Sequence, residues 1–137
     1  MKFIIPGKPF GKMRPRRSKF GMYDPKQNKD FEEKVRKAYF NQQGHIPEPT
    51  DKPVWININL LYPIPARTPK KTRDAMLNGK IMPIMPTVKP DVDNCAKSIM
   101  DALNGIYYLD DKQVTLLRVE KRYGEKPMII VEIGRYY

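Results

Sequence analysis

Lys89-Pro90-Asp91-Val92-Asp93-Asn94-Cys95-Ala96-Lys97 carries two carboxylates where a proline-rich run gives way to a helical pattern. Ala96, Ile99, Met100 and Leu103 recur at helical spacing, with Lys97, Asp101 and Asn104 on the other side, which predicts a helix over Asp93–Asn104 closed by Gly105. With Asp93 as N-cap or first residue of that helix, Asp91 lies two positions earlier in extended chain and points to the same side. Lys97, four residues beyond Asp93, leaves from the same helical face, and Asp101, four further on, is placed to pair with it. Asp110-Asp111 follows after a short loop. Acidic side chains gathered at the two ends of one helix stand out in a chain of formal net charge +11.

Beyond the pair, Val114–Tyr123 and Met128–Ile133 are β-rich runs around Gly124-Glu125-Lys126-Pro127, which predicts an antiparallel hairpin. Upstream, Val54, Ile56, Ile58 and Leu60 alternate with Trp55, Asn57, Asn59 and Leu61, the period of a strand with one face in the core, and Trp55 is expected to pack beneath a helix. Prolines at 63, 65, 69, 83, 86 and 90 then exclude one long element. Thr68-Pro69 and Asn78-Gly79 bracket a short helix over Pro69–Leu77, and Ile81–Val88 reads as a proline-stiffened loop.

Nearer the N-terminus, Phe3–Ile5 reads as a short strand ended by Pro6-Gly7. A helix starting at Asp24-Pro25 or Asn28 and closed by Gln43-Gly44 carries Phe31, Val35, Ala38 and Tyr39 as one apolar stripe. Glu32–Arg36 and Glu33–Lys37 form i,i+4 pairs outside it. Strands and helices mix without βαβ periodicity, so the fold class is α+β: one small domain over residues 1–137, with a mixed or antiparallel sheet and a C-terminal hairpin packed against two main helices.

At 137 residues a second core is not expected, and 40% hydrophobic with 30% charged residues argues against both disorder and a membrane protein. Lysine and arginine number 26 against 15 acidic residues, a surplus that attracts polyanions, nucleic acid first and acidic membrane surfaces second. Cys95 is the only cysteine, which excludes an intrachain disulfide and a multi-thiolate zinc site and suits a reducing cytoplasm. No apolar run approaches the roughly 18 residues that span a bilayer. His45, the only histidine, has no ligand types beside it, so histidine chemistry is not expected.

Lys8, Lys12, Arg14, Arg16, Arg17 and Lys19 lie among Pro9, Gly11 and Pro15, which reads as a mobile basic loop over about residues 8–23 without a buried face. Phe10, Phe20 and Tyr23 are interleaved with these charges, either as platforms for unstacked bases or as pins holding the loop to the core. Should the loop after Gly105 return Asp110-Asp111 to the helix, clustered carboxylates would repel one another unless a cation sits between them. An all-oxygen donor set without a His/Cys cluster favours Mg²⁺ or Mn²⁺ over Zn²⁺. Such a site suits phosphodiester hydrolysis, with Lys97 a further positive charge at the phosphate. Taken singly, the same aspartates read as a helix cap and a turn, which leaves a non-catalytic basic DNA-binding module as the alternative. A small-nucleotide phosphohydrolase is disfavoured by the lack of a Gly-rich phosphate loop.

The run Lys89-Pro90-Asp91-Val92-Asp93-Asn94, with Lys97, Asp101-Ala102-Leu103-Asn104-Gly105 and Asp110-Asp111-Lys112-Gln113-Val114, closely resembles the RusA family of Holliday-junction resolvases. The resemblance extends to Gly11-Lys12-Met13-Arg14-Pro15-Arg16, Tyr23-Asp24-Pro25 and Lys121, so it covers most of the chain. It implies a homodimeric, metal-dependent endonuclease of phage or prophage type that resolves four-way DNA junctions by paired symmetric nicks in recombination and repair. It also implies Asp91, Asp93 and Asp111 as ligands of Mg²⁺, with Mn²⁺ as a substitute, and Lys97 as the catalytic-site cation. Asp101 and Asp110 take supporting places, and whether Asp110 or Asp111 is the main third ligand stays open. Lys8, Lys12, Arg14, Arg16, Arg17 and Lys89 are expected to contact DNA. Cys95 stands where a larger aliphatic residue is more usual in the family.

Overall fold

Val54, Ile56, Ile58 and Leu60, every second residue of one strand, are fully buried, and the sheet is built around them. The structure, a computed structural model, describes residues 1–44, 48–81 and 84–137. His45 and the middle of the proline-stiffened loop, residues 82–83, lie outside the described residues. The elements in order are β1 (Lys2–Pro6), β2 (Arg16–Ser18), β3 (Gly21–Tyr23), α1 (Lys26–Gln43), β4 (Val54–Pro63), α2 (Lys70–Leu77), α3 (Val92–Ala102), a 3-10 turn (Asp111–Gln113), β5 (Val114–Gly124) and β6 (Met128–Arg135). A mixed four-stranded sheet ordered β1-β6-β4-β5, a small β2-β3 ribbon and three helices make one α+β domain.

The expected C-terminal hairpin is not formed. β5 and β6 are not paired with each other; β4 lies between them, parallel to β5 and antiparallel to β6. Pro63 pairs with Gly124 and Leu61 with Met128, so the turn joining β5 to β6 passes over the end of β4. The reason is burial. Ile129, Val131 and Ile133 of β6 are fully buried and need apolar neighbours on both sides, supplied by β1 and by the unbroken inner row of β4. β5 carries Arg118, Glu120, Lys121 and Arg122, a composition that suits a sheet edge. The parallel β4–β5 pair needs a long crossover, and α2 and α3 lie in it, so one such unit exists where the strand and helix pattern indicated none.

α1 buries the predicted Phe31, Val35, Ala38 and Tyr39, with Asn28 added, and packs on β1 and α3. Its outward pairs form as expected, Arg36–Glu32 at 3.6 Å and Lys37–Glu33 at 3.3 Å. Trp55 does not lie beneath a helix. Alternation turns it to the opposite sheet face, where its ring covers its partner on β6, Gly134, and only a residue without a side chain leaves room for it: a Cβ there would meet the indole at 2.6 Å.

The basic segment is also more ordered than its composition implies. Pro9 is buried and Phe10 stacks on Phe31 at 4.9 Å between centroids, so Phe10 is a pin to the core. Asn28 Nδ2 donates to Met13 O (2.9 Å) and Asn28 Oδ1 accepts from Met13 N–H (2.8 Å), which fixes where the segment leaves the body. Arg16–Tyr23 then turns back as the fully exposed β2-β3 ribbon, carrying Phe20 and Tyr23 into solvent.

Candidate functional site

α3 begins one residue earlier than the pattern predicts, at Val92, with Asp91 in extended backbone (φ −70°, ψ 152°) at the cap position and Asp93 inside the first turn. Asp91's side chain makes no capping bond, and both carboxylates are exposed. The backbone that presents them is held from three directions. Tyr62 Oη donates to Pro90 O (2.8 Å), Lys121 Nζ donates to Val88 O (2.6 Å), and Lys12 N–H donates to Asn94 O (3.1 Å). Gly11 lies so close that a Cβ there would meet Pro90 Cβ at 2.7 Å, which is the physical demand for glycine at this crossing.

One turn along α3, Lys97 Nζ lies 3.2 Å from Asp101 Oδ1 and 3.5 Å from Asp111 Oδ2. The helix therefore carries the predicted i,i+4 pair, and the chain after Gly105 does return to it. Asp101 also pairs with Lys12, whose ammonium lies 3.8 Å from Glu32 Oε1, and Arg36 completes the row by reaching Glu32 and donating from Nε to Ala102 O (3.1 Å). Arg36, Glu32, Lys12, Asp101, Lys97 and Asp111 thus alternate in sign from α1 into the site. The Asp101 hydrogen bond, with the charges of Asp101 and Asp111, raises the Lys97 pKa despite partial burial, so the ammonium stays charged.

The return of Asp111 depends on residues that the pattern did not single out. Tyr108 is fully buried and donates from its hydroxyl to Met100 O (2.6 Å), while burial raises its pKa and keeps that proton in place. Gln113 Nε2 donates to Thr50 O (2.8 Å) and Lys52 O (3.0 Å), tying the turn to the chain that enters β4. Asp110 is used locally: its carboxylate accepts from Lys112 N–H (3.0 Å), and Gln113 Oε1 accepts from Asp110 N–H (2.9 Å). That box caps the 3-10 turn, and the Lys112 bond lowers the Asp110 pKa. Asp111, half-buried, is left to face Lys97.

The carboxylates fall into two places. Asp91 and Asp93 stand at the front of α3, whereas Asp111 is held beside Asp101 through Lys97. Among the described residues no group of three His, Cys, Asp or Glu side chains is close enough to hold a metal ion. The donor set at the front of α3 nevertheless fits a hard divalent cation: two exposed carboxylates, with water and phosphate oxygens to complete the shell, is how Mg²⁺ is commonly bound. The nearby thiol offers no soft ligand, because burial of Cys95 pushes its pKa up to about 11.

Of the cations expected to meet DNA, Arg14, Arg16 and Arg17 are exposed on or beside the ribbon, Lys89 is exposed in the depression that contains Asp91, and Lys8 is exposed with Lys89 on an adjoining cleft. Lys12 is turned inward to Asp101 and Glu32. Tyr62 and Lys121 have roles that side-chain period alone half reveals: both stand on the inner face of their strands, paired to Tyr123 and Leu60, where a polar tip needs a partner.

No helix among the described residues is long and apolar enough to cross a membrane. The "Uncharacterized protein YqaN" of Bacillus subtilis (strain 168) is 38% identical over 140 residues, covering 97% of this chain and 94% of that protein. The family described as Endodeoxyribonuclease RusA matches residues 6–134, from the end of β1 to β6, and takes in the aspartates, Lys97 and the basic ribbon. The chain belongs to the RusA family of endodeoxyribonucleases.

Proposed function

We propose that the protein is a Mg²⁺-dependent endonuclease that resolves four-way DNA junctions by paired, symmetric nicks, acting as a homodimer. The observation that carries this reading is the division of labour among the acidic residues. A purely structural cluster would use its carboxylates as caps, yet Asp110 alone caps, while Asp91 occupies a cap position without capping. Mn²⁺ is the expected substitute for Mg²⁺, because the donors are oxygen alone.

Asp91 and Asp93 would hold the metal, which supplies a Lewis acid for the phosphoryl oxygen and an activated water. The chain's own residues do the rest. Lys97, kept charged and aimed by Asp101, offers its ammonium to the non-bridging oxygens as charge builds on the scissile phosphate. Arg14, Arg16 and Arg17 on the ribbon side, with Lys89 near Asp91 and Lys8 on the adjoining cleft, attract and seat the flanking phosphates. Two copies related by a two-fold axis would match two equivalent phosphates of a symmetric junction.

The test is a gel assay of a four-way junction against linear duplex, with and without Mg²⁺, for the parent, Asp91→Asn and Asp111→Asn. The junction alone should be nicked, only with Mg²⁺; Asp91→Asn should bind without cutting, and Asp111→Asn, which takes away a charge that holds Lys97, should bind and cut more slowly. An Asp91→Asn protein that cuts at the parent's rate would sink the assignment.

A further inference from the structure

We infer that a cleft beside Asp91 is a subsite for one unstacked nucleobase of the DNA, an inference that rests on the reading of Asp91 and Asp93 as the phosphate-handling end of the molecule. The cleft, of about 350 Å³, opens at the C-terminal ends of β4 and β5. Tyr62 and Tyr123, register partners on these neighbouring strands, line it side by side, together with Pro9 and Val88. Its size is at the low end of the roughly 300–1,000 Å³ of small-molecule sites. It suits a single planar ring system.

Three features select a nucleobase. Position is the first: Pro90 and Lys89 line both this cleft and the shallow depression that contains Asp91 and Asn94, so a strand with a phosphate at Asp91 has a neighbouring base at the cleft mouth. Charge is the second. Lys8 and Lys89 are exposed cations on an otherwise apolar, aromatic and proline-lined slot, which pairs phosphate contacts outside with stacking inside. Rigidity is the third. The Tyr62 hydroxyl is held by Pro90 O, and Lys121 Nζ sits 5.5 Å from its ring centroid, so this wall is fixed before any ligand arrives, and half-buried Tyr123 beside it supplies the ring for stacking.

A base drawn out of the stack here would be read next to the cut, so the cleft would set which sequences at a junction are nicked. The loss of its stacking neighbours is smallest at a branch point, where the continuous stack of the duplex is already interrupted.

The test is a binding cycle without divalent metal, so that no strand is cut. Four-way junctions carrying one abasic site at successive positions around the branch are titrated with the parent, with Val88→Trp, which fills the slot from its exposed rim, and with Tyr123→Leu, which keeps bulk but removes the ring. For the parent, one position should cost about tenfold or more in affinity when its base is missing, in line with the stacking of a single base. That position-specific loss should vanish in both variants. The inference is overturned if no position distinguishes parent from variants, or if the intact junction is not bound. Tyr123→Leu alone decides should Val88→Trp fail to fold by circular dichroism. Adding Mg²⁺ to the parent separates the two readings: coupling without cutting keeps the base subsite and removes the nuclease, and cutting without coupling does the reverse.

Discussion

Lys97 Nζ lies 3.5 Å from Asp111 Oδ2, joining the middle of α3 to a turn that the chain reaches only after passing Gly105. The Lys97 side chain is 56% exposed and Asp111 26%, so screening by water leaves this pair worth about 0–1 kcal/mol to the fold. Its larger effect is on where a positive charge stands. Lys97→Met should therefore change the urea midpoint little, corresponding to about 1 kcal/mol or less. Single-turnover cleavage should fall about 10²-fold, the usual effect of removing one preorganised charge partner of a transition state. Large destabilisation with cutting intact would make Lys97 a structural cation.

Adjacent Asp110 and Asp111 should respond to substitution in opposite ways. Asp110→Ala removes the cap and should lower the melting temperature while junction cutting persists, and Asp110→Asn should restore the parent's melting because asparagine caps as well as aspartate. Asp111→Asn, which takes away a charge that holds Lys97, should keep the melting temperature and slow cutting. Acid melts add a check on sign. Because the Lys112 N–H lowers the folded pKa of Asp110 below its ordinary 3.8, that carboxylate stabilises the fold above this value and ceases to as pH falls through the lowered one. The gap between parent and Asp110→Ala should accordingly narrow in acid. A gap that widens there would reverse the assignment.

Local pattern reached most of the elements and part of the candidate site. The row Val54, Ile56, Ile58 and Leu60, and the stripe Phe31, Val35, Ala38 and Tyr39, are period signals, and both stand buried as read. The Lys97–Asp101 pair was legible because helical spacing fixes it within one short segment, and so was the place of Asp91 and Asp93 at the start of the same helix. Strand partnership was not legible. The period of β5 and β6 says that each is a strand, but which one lies beside β4 depends on how much apolar surface each must bury, a property of the whole sheet. For the same reason the positioning roles of Tyr108 and Gln113 were not legible, and Lys12 read as a DNA contact rather than as a partner of Asp101, since Met100, Thr50 and Asp101 lie on other elements or across a loop.

Gly134 and Trp55 give a test of the uncovered sheet face. A Cβ at 134 would meet indole carbons at 2.6 and 2.7 Å and its nitrogen at 2.8 Å, too close to be absorbed without moving the ring. Gly134→Ala should cost about 1–3 kcal/mol, the range for inserting a methyl into packed contact. It should also shift the fluorescence of the only tryptophan to the red as the ring is lifted toward water. Because Trp55 stands at the start of β4, and Tyr62, which holds Pro90 beside Asp91, stands near its end, nuclease activity at a temperature well below the melt should be retained. An unchanged emission maximum would mean that the ring is not seated on Gly134.

The basic segment should divide into two kinds of cation. Arg16 and Arg17 stand exposed on β2, where each phosphate they neutralise releases counterions and steepens the dependence of binding on salt. Arg16→Ala and Arg17→Ala should each reduce that logarithmic slope by about one and leave the melting temperature unchanged. Lys12 is different, since it is the shared partner of Asp101 and Glu32, whose side chains are only 15% and 16% exposed. Its removal leaves two largely buried carboxylates facing each other, so Lys12→Ala should destabilise the fold by about 2 kcal/mol, the scale of a lost hydrogen bond to a charged group. It should also loosen Lys97 by leaving Asp101 without its second cation, and the salt slope should stay near the parent's. Filter-binding titrations across a salt series, run beside thermal melts, separate the two kinds. A Lys12→Ala protein with the parent's melting temperature and a reduced slope would move Lys12 from the site's scaffold to its DNA surface.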